Sequence, residues 1–133
     1  MNEDNFSKEQ IKNSDDKKMI AVMCRCSKTK KLFGIRFDHI TGDIWEYAWA
    51  FPLKEGADKR EKLYRLSVKG RFVNGKNYNG CPYCGNKNFY QCGNCKNLVC
   101  WDGIIKPVTC PHCGNKGNLT RKNISEINAD DNL

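Results

Sequence analysis

Residues 1–18 are polar and charged, lack the periodicity of a helix or a strand, and are predicted to form a disordered tail. From Met19 onward the apolar residues gather in short runs at strand spacing. Residues 19–24 and 32–37 read as two strands, joined by a hairpin turn over residues 27–31. Thr41-Gly42-Asp43 then turns into residues 44–51, which alternate strictly. Trp45, Tyr47, Trp49 and Phe51 fall on one face of that strand, with Ile44, Glu46, Ala48 and Ala50 on the other. The aromatic face is predicted to be core. A stacking platform for single-stranded nucleic acid would interleave the rings with Lys or Arg, whereas the interleaved residues here are Glu and Ala.

Pro52 ends the strand. Residues 54–62 are strongly charged and contain Gly56, which suits a mobile loop or a short surface helix. Residues 63–68 and 70–73 are predicted to pair as a further hairpin, and residues 74–80 lead into the first cysteine turn. Residues 120–133 are polar and are predicted to be a flexible tail.

The chemistry is concentrated between Cys81 and Cys113, where seven cysteines fall within 33 residues, six of them in three C-x2-C pairs. The pairs are Cys81-Pro82-Tyr83-Cys84, Cys92-Gly93-Asn94-Cys95 and Cys110-Pro111-His112-Cys113, and the first and last continue identically as Gly-Asn-Lys. Two residues between cysteines let one tight turn aim both thiolates at one ion, and two such turns complete a tetrahedral shell around zinc. The expected fold is therefore small and mainly β. An antiparallel N-terminal sheet over residues 19–80 is followed by a zinc-ribbon or rubredoxin-like module over residues 81–119, the two forming one folding unit.

Asp102-Gly103 between apolar runs is a hairpin signal, with residues 97–101 as one strand and 104–109 as its return. Knuckles at the two ends of such a hairpin make Cys92, Cys95, Cys110 and Cys113 the first predicted site. Cys81, Cys84 and Cys100 are then one ligand short, and the candidates are Cys26, Cys24, His112 and His39. Cys26 completes an all-cysteine site if the N-terminal sheet packs against the ribbon. Cys24, at i, i+2 on the same strand, would be the spare buried thiol. A rival pairing joins Cys81 and Cys84 to Cys92 and Cys95. The side chain of His112 is expected to point away from the metal, and His39 to be an ordinary surface residue.

Composition changes this picture in two ways. No apolar stretch marks an export signal or a membrane span, so the nine cysteines are expected to be metal ligands in a reducing cytoplasm rather than disulfides. The formal charge of +8 treats every cysteine as neutral. Four thiolates and one divalent ion add −2 per site, so two filled sites would reduce +8 to about +4. Residues 20–119 carry 17 basic and seven acidic residues before metal, which still admits an RNA or phosphate surface.

The arrangement Cys81-Pro82-Tyr83-Cys84-Gly85, then Cys92, Cys95 and Cys100, then Thr109-Cys110-Pro111-His112-Cys113-Gly114-Asn115-Lys116-Gly117-Asn118 resembles the TerY-C metal-binding domain. That module belongs to bacterial tellurite-resistance and stress-response proteins. The resemblance extends upstream through Cys26, Lys31-Leu32-Phe33-Gly34-Ile35, Trp49-Ala50-Phe51-Pro52-Leu53 and Gly80, covering about residues 20–119. It implies protein partners of three kinds: a von Willebrand A domain, a protein kinase and a metal-dependent phosphatase. No A domain lies within these 133 residues, so a stand-alone version is expected.

The leading functional expectation is a non-enzymatic module in which two structural zinc ions support a protein-interaction surface. Closed four-cysteine shells leave no position for a reactive water, and two histidines offer little for acid–base work. A second expectation is nucleic-acid binding, with Lys87, Lys96, Lys106, Lys116, Arg121 and Lys122 on phosphates. A third is a rubredoxin-like redox or metal-sensing site, since the same thiolates can hold iron.

Overall fold

The computed structural model describes residues 18–56, 65–119 and 123–130. All regular structure among them is β. The strands are β1 (Met19–Arg25), β2 (Leu32–Thr41), β3 (Ile44–Pro52), β4 (Arg65–Lys69), β5 (Arg71–Asn74), β6 (Asn88–Gln91), β7 (Leu98–Trp101), β8 (Pro107–Thr109), β9 (Lys116–Asn118) and β10 (Glu126–Asp130). One sheet runs β4-β10-β1-β2-β3-β5, with the β6–β7 hairpin branching from β1, and β8 and β9 form a separate ribbon.

β1 alternates as a half-buried strand should: Ile20, Val22 and Cys24 are buried. It pairs with β2 along its whole length. Its other edge is divided, with β10 reached at Ala21 and β7 running parallel to it at Cys24 and Arg25. β2 is buried on both faces from Leu32 to Ile35, because Phe51 of β3 lies over Gly34 on the outer side. Phe33, Ile35 and Phe37 are fully buried, and each contributes about 1.5–3 kcal/mol of transfer free energy.

Four expectations are corrected. The aromatic residues of β3 do not share one face, because the β2–β3 register shifts between Arg36↔Trp49 and Phe37↔Tyr47. The extra residue, Ala48, forms a β-bulge that reverses the alternation. Trp45 is buried and Tyr47 packs on the core, but beyond the bulge Ala50 points inward and Trp49 is 48% exposed.

β4 and β5 do not form a hairpin. Gly70 alone separates them, too little for a two-residue turn, so β4 pairs with β10 and β5 runs parallel to β3. Residues 120–133, expected to be a tail, contribute β10, whose Ile127 and Ala129 are buried at i, i+2. The hairpin expected between residues 97–101 and 104–109 is also absent. β7 pairs with β6 and β1, while β8 pairs with β9. Asp102 instead accepts the Ile104 amide at 3.0 Å and meets Lys106 Nζ at 2.6 Å. Residues 57–62 of the charged loop, and residues 63 and 64 of the predicted strand, lie outside the described residues, as do residues 1–17 of the N-terminal tail.

Candidate metal centres

Four turns share one backbone pattern, in which the amide of the first residue donates to the carbonyl five residues on, and the amide four residues on donates back to the first carbonyl. These pairs are Cys26→Lys31 and Lys30→Cys26, Cys81→Asn86 and Gly85→Cys81, Cys92→Asn97 and Lys96→Cys92, and Cys110→Asn115 and Gly114→Cys110, all at 2.8–3.0 Å. The fifth residue of each turn is left-handed: φ is 65° at Lys30, 82° at Gly85, 66° at Lys96 and 80° at Gly114. A further amide within each turn donates to the first sulfur, from Thr29, Tyr83, Asn94 or His112, at 3.3–3.4 Å. Three of the turns form hairpin tips, between β1 and β2, β6 and β7, and β8 and β9.

The first of these turns reads from sequence as a hairpin link with Cys26 as a ligand, but not as a knuckle like the other three. Cys26-Ser27-Lys28-Thr29-Lys30 aligns with Cys92-Gly93-Asn94-Cys95-Lys96, with Thr29 where the second cysteine would stand. Cys100 of β7 supplies the missing sulfur. The parallel register Cys24↔Leu98 and Arg25↔Val99, carried one step further, places Cys100 beside Cys26. Its Sγ accepts the Ser27 amide at 3.1 Å.

Eight thiols thus form two sets, Cys26, Cys81, Cys84 and Cys100, and Cys92, Cys95, Cys110 and Cys113, each with its sulfurs within 4.8 Å of one another. Either set could hold a metal ion. Tetrahedral ligation at about 2.3 Å per bond separates sulfurs by about 3.8 Å. The Cys84–Cys100, Cys92–Cys113 and Cys95–Cys110 sulfurs lie 3.5, 3.7 and 3.8 Å apart. A disulfide needs about 2.05 Å, and all nine cysteines are free thiols.

The two sets differ in surroundings. The first is set into the main core with Tyr78 and Leu98, while Cys113 of the second is exposed. Burial pushes the Cys26 thiol up, but the Thr29 hydroxyl, the Thr29 and Lys28 amides and Cys81 outweigh it and bring it to about 6. The Asn94 side chain and then the Asn115 amide bring Cys113 to about 6. Burial pushes Cys81, Cys100 and Cys110 up, and Cys95 up to about 12. Four packed sulfurs cannot all ionise unaided, so a full thiolate set fits a cation at its centre.

The rival pairing of Cys81 and Cys84 with Cys92 and Cys95 does not occur. Cys24 is fully buried beside the first set but outside its four sulfurs, with its thiol raised by burial and then by Cys100 and Cys81. The His112 ring nitrogen lies 2.7 Å from the Leu98 carbonyl, and that of His39 2.9 Å from the Gly42 carbonyl, so neither belongs to a thiol set.

The chain matches no protein-family model, no curated protein and no solved structure. Among the described residues no helix is long and apolar enough to cross a membrane.

Proposed function

We propose that this chain is a non-enzymatic module in which two structural zinc ions hold a protein-interaction surface in shape. The supporting observation is the donor set. With a thiolate at each of the four vertices, a bound ion would have no open position for substrate or water, so its contribution would be folding free energy rather than catalysis. Soft sulfur donors in tetrahedral array suit zinc or iron.

The interaction surface is the loop between β7 and β8. Ile104 and Ile105 are 59% and 43% exposed there, yet the loop is braced. The Trp101 indole donates to the Ile104 carbonyl at 2.8 Å, and Asp102 holds both Ile104 and Lys106. Adjacent isoleucines exposed on a hydrogen-bonded loop are the anchor that a partner's apolar pocket would cover. The resemblance to TerY-C modules would make that partner an A-domain, kinase or phosphatase protein of a bacterial stress response.

A photo-crosslinking residue at position 104, introduced in the native cell, is expected to give one discrete protein adduct that Ile105→Asp removes. Crosslinks to nucleic acid, or none, would contradict the interaction reading.

A further inference from the structure

The two thiol sets differ in what can reach their sulfurs. In the first, Cys26, Cys81 and Cys100 are 0%, 2% and 1% exposed within the main core, and Cys84 is half-buried. In the second, Cys113 is exposed, while Cys92 and Cys110 line a cleft of about 940 Å³. The Cys113 turn belongs to the β8–β9 ribbon, a sheet of its own, and the Cys92 turn to the β6–β7 hairpin. Their two sulfurs nevertheless approach to 3.7 Å. An accessible thiolate with a second thiol beside it is what reversible oxidation to a disulfide requires.

We propose that the second thiol set is a site of reversible oxidation by peroxides, at which Cys113 reacts first and Cys92 resolves it. The Cys113 sulfur attacks one peroxide oxygen, so that an S–O bond forms, the O–O bond breaks and hydroxide or alkoxide leaves. The Cys92 thiolate then attacks the sulfenic sulfur, forming the S–S bond and expelling hydroxide. Two electrons pass from the two sulfurs to one peroxide, and solvent protons neutralise the bases released. A peroxide is neutral, so the net charge of about −2 on a filled set, four thiolates against one divalent ion, neither attracts nor repels it.

Cys95 and Cys110 are then the two thiolates left, too few to hold a structural zinc ion. The new disulfide still joins the tips of the β6–β7 and β8–β9 hairpins, so reduction returns four thiols to one place and lets the ion rebind. The inference rests on the zinc reading of the second set and is independent of the interaction surface.

The test treats the full zinc-loaded chain with hydrogen peroxide beside a coloured zinc chelator, then blocks the remaining thiols for peptide mapping. One of the two ions is expected to leave about tenfold faster than the other or more, with a Cys92–Cys113 disulfide formed. Reduction and added zinc should restore both ions. Cys113→His keeps a zinc-ligating donor without a thiolate, and should slow the fast release by about tenfold or more. Release of both ions at one rate, prior oxidation of the first set, Cys113 joined to a cysteine other than Cys92, or an unchanged rate in Cys113→His would overturn the proposal. If that variant holds only one ion, the disulfide map of the wild-type chain decides alone. A wild-type chain carrying fewer than two ions before oxidation would overturn the zinc reading; two ions carried and none released would overturn the oxidation site alone.

Discussion

Lys30 and Lys96 hold the same left-handed conformation that Gly85 and Gly114 hold in the equivalent turns. A side chain in that conformation costs about 1–2 kcal/mol, against about 0.5–1 kcal/mol for the extra chain entropy of glycine. Lys96→Gly is therefore expected to stabilise the protein by about 0.5–1 kcal/mol, seen as a higher urea midpoint at unchanged slope. A lower midpoint would mean that the lysine stem holds the turn by contacts of its own. The cysteines divide just as sharply. Cys110→Ser should leave one ion bound and loosen β8–β9. Cys24→Ser should keep both ions and cost about 1–2 kcal/mol for a hydroxyl in a fully buried site. Equal zinc loss in the two variants would contradict the assignment. The C-x2-C spacing was enough to read three turns, but the Cys26 turn was not legible as a knuckle. Its second thiol is supplied from β7, 71 residues beyond Thr29.

At the scale of elements, the end of β5 depends on a close approach to β3 at Gly75. The Gly75 amide donates to the Tyr47 carbonyl at 2.9 Å, and a Cβ on Gly75 would meet that same oxygen at 2.5 Å. Gly75→Ala is expected to push β5 away and cost about 1–3 kcal/mol by chemical denaturation. An unchanged midpoint would show that the backbone yields there. Elements were less legible than turns, for two physical reasons. Alternation assumes an unbroken register, and the bulge at Ala48 turned Trp49 from core to surface. Partner choice is not local either. The ribbon cysteines were grouped through a hairpin that does not form, and they meet instead because Cys92 and Cys110 open the tips of two different hairpins.

Across the whole molecule, the first thiol set ties the two halves of the chain together. Cys26 comes from the β1–β2 turn, Cys81 and Cys84 from the turn before β6, and Cys100 from β7, which also pairs with β1. Structural zinc contributes about 10–16 kcal/mol of apparent binding free energy, comparable to the whole stability of about 5–15 kcal/mol expected for a domain of this size. Cys100→Ser is accordingly expected to abolish the cooperative unfolding transition, whereas loss of the more exposed second set should leave the main sheet folded. Far-UV circular dichroism during chelator titration separates the two. Retention of the full sheet signal in Cys100→Ser would mean that the apolar core suffices without the first ion.

The most direct test of the account is native mass spectrometry of the full chain, with zinc content measured on the same sample. Two zinc ions per chain, falling to one in Cys26→Ser, are predicted. A single ion in the wild type, no change in Cys26→Ser, or the visible absorption of bound iron would contradict it.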